Sequence, residues 1–137
     1  MIEPIHVGTI RGQQVRFFRS PDDDGRPDFP WVSIDDLAIC TGLDRDRRKY
    51  IPRMTQNIAF GRKKTVATAS GLVTIIEHCF AQGFLGATAE FFGPTFDIRQ
   101  EYAEVDVEAV RKLTDGFDRA ELMSWAVAAV RRNDMPA

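Results

Sequence analysis

The chain has little of what disulfide-bonded, membrane-bound or metal-dependent proteins are built from. Its two cysteines, Cys40 and Cys79, cannot form a disulfide framework. They are expected as free, buried thiols in a reducing cytoplasm. No run of eighteen apolar residues occurs, so neither a transmembrane helix nor a membrane partner is expected. The opening Met1-Ile2-Glu3-Pro4 has no basic region followed by an apolar one, so no signal peptide is expected. Internal repeats, low-complexity segments and sustained heptad arrays are absent, which argues against solenoids and long coiled coils.

Catalytic and ligand-binding signatures are equally scarce. A phosphate-cradling loop needs a glycine five residues before the Gly-Lys pair. Gln56 and Asn57 stand where that glycine would be. No G-x-G-x-x-G occurs, and Thr68 replaces the first glycine of a nucleophile elbow at Ser70. The acidic loop Asp22-Asp23-Asp24 fails the calcium-loop spacing, since the twelfth residue is Ser33 or Asp35 rather than Glu. His78 and Cys79 are neighbours, so on a helix they point about 100° apart and cannot share a metal without other ligands. His78 reads as a structural histidine. No catalytic residue, cofactor or metal site is expected, and the chain does not read as an enzyme.

What is present is enough apolar material for a core, with ten Phe and two Trp among 137 residues. The net charge is only -2, but it is unevenly spread. Residues 44–64 hold eight cations (Arg45, Arg47, Arg48, Lys49, Arg53, Arg62, Lys63, Lys64) against Asp44 and Asp46. Residues 95–121 hold eight acids against four cations. A local basic run is a candidate electrostatic footprint for phosphates, and equally a solvated helix face.

Residues 5–10 and 14–19 are rich in β-branched and aromatic side chains and read as a hairpin around Gly12. Phe29-Pro30-Trp31-Val32 is extended. Ser33, with Asp36 three residues on, opens a helix over 34–41 that Gly42 ends. A second helix over 45–51 must end or bend at Pro52. Residues 63–69 read as a strand. Ser70 then caps an apolar helix over 71–82, with Leu72, Ile75, Ile76 and Cys79 on one face and Gly83 as its end. Residues 105–113 and 119–132 read as an amphipathic helical hairpin, with Asp118 and Glu121 forming a capping box and Trp125 in the apolar stripe. The fold class is α+β: a small, mostly antiparallel sheet with packed helices. Its core is expected to contain Val15, Phe17, Trp31, Leu37, Leu72, Ile75 and Ile76.

The pair of helices about Gly42 has the layout of a helix-turn-helix, with Ala38 and Gly42 four apart and Leu37, Leu43 and Ile51 available for the shared core. Its second helix would present Arg45, Arg47, Arg48 and Lys49 to a groove. The order of elements resembles the BRO-N module of phage antirepressors and baculovirus-repeated proteins. Arg16-Phe17-Phe18 matches its first strand. Pro30-Trp31, Asp36, Leu37, Ala38 and Gly42 match its second block, and Ser70-Gly71-Leu72 matches its third. Thr41 stands where the family has Leu, and the loop over 21–28 is longer. The resemblance covers about residues 5–83, and implies a BRO-N-like domain over 1–83. Residues 84–137 would be a helical extension, packed on it or mediating a homodimer. It also implies a cytoplasmic regulator of the phage or mobile-element type, binding DNA through residues 44–64, a repressor protein, or both. The alternative is a protein-interaction module that makes no direct contact with DNA.

Overall fold

The computed structural model describes residues 1–22, 25–56 and 62–134. Asp23 and Asp24 of the acidic loop, and residues 57–61 of the basic segment, lie outside the described residues. The first hairpin joins β1 (His6–Ile10) to β2 (Gln13–Phe18), with Ile10 paired to Gln13 and His6 to Phe17. Arg11 and Gly12 form the turn, both at positive φ (51° and 79°), a backbone twist that matches that of the strands. Asp28 and the extended Phe29-Pro30 lead into β3 (Trp31–Ser33), and β4 (Lys63–Thr68) pairs with β5 (Gly71–Ile76). The sheet is antiparallel throughout, in the order β1-β2-β3-β5-β4. Ile2 N–H donates to Ala67 O on β4, although β1 lies at the opposite edge. Four residues of chain span at most about 14 Å, so the sheet curls until its two edges come close.

Ser33 Oγ accepts the Asp36 N–H and caps α1 (Ile34–Cys40), and Gly42 follows its C-cap, as the sequence predicts. The predicted helix over 45–51 is broken. It divides into α2 (Arg45–Arg48) and α3 (Ile51–Thr55), with Pro52 in the first turn of α3, where its missing N–H costs nothing. The helix predicted over 71–82 is a larger error. Ala69-Ser70 is a hairpin turn, and Val73-Thr74-Ile75-Ile76 is a β-branched run that suits a strand. Leu72, placed in the core by helical spacing, is 77% exposed. Val15, Phe17, Trp31, Leu37, Ile75 and Ile76 are buried as expected.

The fourth helix, α4 (His78–Phe92), runs through Gly83, expected as its end, and stops at Gly93. A helical glycine costs about 1 kcal/mol relative to alanine, and burial of Phe80, Ala81, Phe84, Leu85 and Thr88 outweighs it. A short 3-10 turn (Pro94–Phe96) leads into α5 (Arg99–Leu113), and α6 (Arg119–Asp134) follows, with Asp118 Oδ1 accepting the Glu121 N–H. The chain thus closes with the helical hairpin expected of it. One buried cluster joins Ile10, Val15, Phe17, Val32, Leu37 and Ile76 to Phe80, Phe84, Leu85, Ile98, Tyr102 and Ala109. A second comprises Phe18, Trp31, Val66, Val73 and Ile75. Residue 83 falls inside α4, and the first cluster draws on both sides of it.

Helix α5 lies unusually close to β1. A Cβ at Gly8 would stand 2.1 Å from Val105 Cγ1, so only glycine permits this approach. Gly8→Ala is expected to destabilise the protein by about 1–3 kcal/mol through overpacking. Urea unfolding measures this, and an unchanged midpoint would show that the two elements separate at no cost.

Candidate nucleic-acid interface

The eight cations of the basic segment do not form one surface. Asp44 caps α2 by accepting the Arg47 N–H at 2.8 Å, and its other oxygen accepts from Arg47 Nη1 at 2.7 Å. These bonds to Arg47, its backbone N–H first, hold the Asp44 carboxyl below the usual carboxylate range. The Arg47 guanidinium also lies 5.5 Å over the Phe96 ring. Lys49 pairs with Asp46 at 3.2 Å. Half-buried Arg48 donates to Leu43 O at 2.7 Å, fastening the turn after α1. Arg45 and Arg53 are exposed. Helix α2 has four residues and buries none of them. Helix α3 is the member of the pair that docks on the body, through Met54 and Ile51. A four-residue helix with no buried face lacks the anchored frame that a groove-reading helix needs. The helix-turn-helix expectation is therefore corrected to a short basic promontory on a docked α3.

Lys63 and Lys64 are adjacent on the edge strand β4, so their side chains leave opposite faces of the sheet. Their ladder partners agree: Ile76 belongs to the first buried cluster and Ile75 to the second.

Arg62 is used inside the molecule. Its Nε donates to Glu77 Oε2 at 2.7 Å, Nη2 to Asp28 Oδ2 at 3.4 Å and Nη1 to Asp22. The guanidinium lies 5.3 Å over the Trp31 ring. Burial works against its charge, but Glu77, Asp28 and Asp22 together hold its pKa above the ordinary value.

Beside the promontory, Tyr50, Arg53, Met54, Gln56, Phe91 and Phe92 line a groove of about 620 Å³ between α3 and the end of α4. Tyr50 is 54% exposed and Phe91 71%. Cationic and aromatic groups lie together here on the surface. The sequence reading did not single out Phe91 and Phe92. The adjacent Phe91-Phe92 pair at the end of an apolar stretch was the available signal.

Arg16 supplies a further structural contact. Its guanidinium meets both oxygens of Asp36 at 2.8 and 3.0 Å and donates to Ser70 Oγ at 2.9 Å. Its backbone N–H also reaches Asp36. One side chain thus joins β2, α1 and the β4–β5 turn. Cys40 is a buried thiol pushed up to about 11 by desolvation, and Cys79, expected to be buried, is partly exposed.

A buried polar group under α5 was not foreseen. His78 Nδ1 lies 3.2 Å from Tyr102 Oη and 3.7 Å from Asp106 Oδ2. Among the described residues, Asp106 Oδ1 has no hydrogen-bond partner. Tyr102, Asp106 and Ala109 are spaced four and three apart and are all buried. An acid on the inward stripe of an amphipathic helix was therefore the legible clue. Desolvation lowers the His78 pKa and pushes the Asp106 carboxyl up to about 7.

Comparison of the chain with family models, curated proteins and solved structures finds no match. Among the described residues, no helix is long and apolar enough to cross a membrane.

The raised Asp106 pKa fixes a pH dependence. The folded state keeps a proton that the unfolded chain releases near pH 4, so stability falls as pH rises from about 4 to about 7 and then levels off. At about 1.4 kcal/mol per pH unit, the loss approaches roughly 4 kcal/mol. Asp106→Asn is expected to remove that slope, leaving the variant relatively more stable at pH 8 than at pH 4.5. Urea unfolding across this range checks it, and parallel profiles for the two proteins would refute the assignment.

Proposed function

We propose that the protein is a cytoplasmic regulatory module of the antirepressor type, found in phage or mobile elements, that holds nucleic acid by its phosphates. The contact surface is the promontory of α2 and α3, and the partner is DNA. The observation that carries this reading is the exposure of Arg45, Arg47, Lys49 and Arg53 within nine residues of chain, beside exposed Tyr50. Lysine and arginine bind phosphates by releasing condensed counterions. The pairs Arg47–Asp44 and Lys49–Asp46 do not prevent this. Exposed ion pairs are screened by solvent and contribute little, so they exchange readily for phosphates. Arg62 is committed to internal carboxylates and is left out of the surface, and Lys63 and Lys64 leave opposite faces of β4.

A repressor protein as partner is the second reading, and a specific observation favours it. Phe91 and Tyr50 flank a groove with an apolar floor, and an exposed aromatic cluster of this kind suits a protein side chain.

The two readings separate in one titration. Fluorescence anisotropy with a labelled 20-base-pair duplex is expected to show affinity falling roughly 100-fold between 50 and 200 mM salt, as for about four neutralised phosphates. Replacing Arg45, Arg47, Lys49 and Arg53 together by Ala should abolish binding with the circular dichroism spectrum unchanged, because such surface changes usually cost under about 0.5 kcal/mol each. Binding retained by the quadruple variant moves the interface elsewhere. No binding by the parent protein at 50 mM salt discards the nucleic-acid reading and leaves the groove.

A further inference from the structure

The groove between α3 and α4 has a chemistry of its own, set by what lines it and by what stands at its rim. Among the described residues it is lined by Tyr50, Arg53, Met54, Gln56, Phe91 and Phe92, and none of these is acidic. Met54 is buried beneath it, while Tyr50 and Phe91 are exposed. Its volume, about 620 Å³, lies inside the range of sites that enclose a ligand, roughly 300–1,000 Å³. Tyrosine, phenylalanine, methionine and arginine are the types enriched at the cores of protein interfaces, where lysine and the acids are depleted. Five of the six lining residues are of those types. Methionine also adapts its shape to whatever packs on it.

Cations border this patch. Arg53 is in the wall itself. Phe92 meets Phe96 edge-on at 6.2 Å, and the Arg47 guanidinium lies 5.5 Å over Phe96, so a row of rings leads from the groove to α2. Tyr50 is tied to the same helix, since its N–H donates to Arg47 O at 3.1 Å. Residues 44–53 carry five cations against Asp44 and Asp46. Both acids are engaged, with Arg47 and Lys49, and among the described residues Arg45 and Arg53 form no ion pair. Glu90, the one acid of α4, does not line the groove.

We propose that the groove receives a short acidic segment of a protein partner. One or two large apolar side chains enter between Tyr50 and Phe91, and the aspartates and glutamates around them meet Arg45, Arg47, Lys49 and Arg53. This deepens the protein-partner reading and rests on it, but it does not depend on nucleic-acid binding. The two parts of the surface do different work. Apolar burial supplies affinity, whereas the cations choose the segment and speed the encounter. A neutral apolar segment would cover Arg53 and leave its charge without a partner, a cost that an acidic segment avoids. The groove is concave, which suits an inserted side chain. A base stacks on a flat platform instead. So small a patch gives a transient complex, with Kd on the order of 10 µM at low salt.

Fluorescence anisotropy with the full chain tests this. The probe is a fluorescein-labelled peptide of about twelve residues in which leucine and tryptophan alternate with aspartate and glutamate. One control peptide keeps the apolar residues and replaces the acids by asparagine and glutamine. A second keeps the acids and replaces the apolar residues by alanine. Each control is expected to bind at least about tenfold more weakly than the probe. Phe91→Ala is expected to weaken the probe about tenfold with the thermal midpoint unchanged, because the side chain is 71% exposed. Arg53→Gln should narrow the gap between the probe and its neutral control. A neutral control that binds as well as the probe overturns the inference and leaves a protein partner of other chemistry. No binding of any of the three peptides at about 500 µM overturns it together with the protein-partner reading. Probe binding that survives both Phe91→Ala and Tyr50→Ala in folded variants overturns it by placing the contact elsewhere. A labelled thymidine strand that binds through Phe91, where the peptide does not bind, assigns the groove to bases and overturns it as well.

Discussion

The carboxylate of Asp28 is the contact on which the arrangement of the outer elements depends. Its side chain is 2% exposed, and a buried charge is tolerated only where donors surround it. Trp31 Nε1 and Asn133 Nδ2 donate to it at 3.0 and 3.1 Å, and Arg62 and Arg132 stand 3.4 and 3.7 Å away. These donors come from β3, from the chain just before β4 and from the end of α6. Arg62 carries the link on to Glu77, which opens α4. A single carboxylate thus sets where the last helix lies and which of its faces is turned inward. It also takes Arg62 out of the basic surface. Losing either cation would leave this charge under-compensated in a dry site, a defect that typically costs several kcal/mol.

The basic segment therefore divides according to what the fold needs. Arg48 closes the turn after α1, and Arg62 neutralises internal acids. Lys63 and Lys64 alternate across an edge strand, where lysine also discourages pairing with another sheet. What remains on one promontory is Arg45, Arg47, Lys49 and Arg53. Arginine suits both kinds of work. Its planar fork satisfies several carboxylates at once, as Arg62 and Arg16 do, or meets phosphates when left outside.

Features set by local sequence were the ones most legible beforehand. The hairpin about Gly12, the Ser33 cap, the helix end at Gly42 and the cap at Asp118 each depend on residues within a few positions. Residues 71–76 failed because a short apolar run fits both periods. Leu72, Ile75 and Ile76 satisfied helical spacing, while the β-branched character of Val73 to Ile76 pointed to a strand. The error moved Leu72 from core to solvent. The site was less legible than the fold, because the partners of its cations are distant in sequence. Arg62 finds Glu77 fifteen residues away and Asp28 thirty-four away, and no local pattern distinguishes such a residue from exposed Arg53.

The two buried carboxylates make opposite contributions for one physical reason. Asp28 is met by two cations and two neutral N–H donors, so its charge fastens elements together. Asp106 is met by a His78 ring whose own burial disfavours the proton, and one of its oxygens has no donor among the described residues. It is a cost that α5 carries into the core rather than a strut. The helix stays in place because the cost is offset by shape. Gly8 lets Val105 approach β1, and Ile98, Tyr102 and Ala109 fill the space beneath. The final hairpin is thus held in two ways. Its first helix is secured by close packing despite an unfavourable carboxylate, and its second by a favourable one.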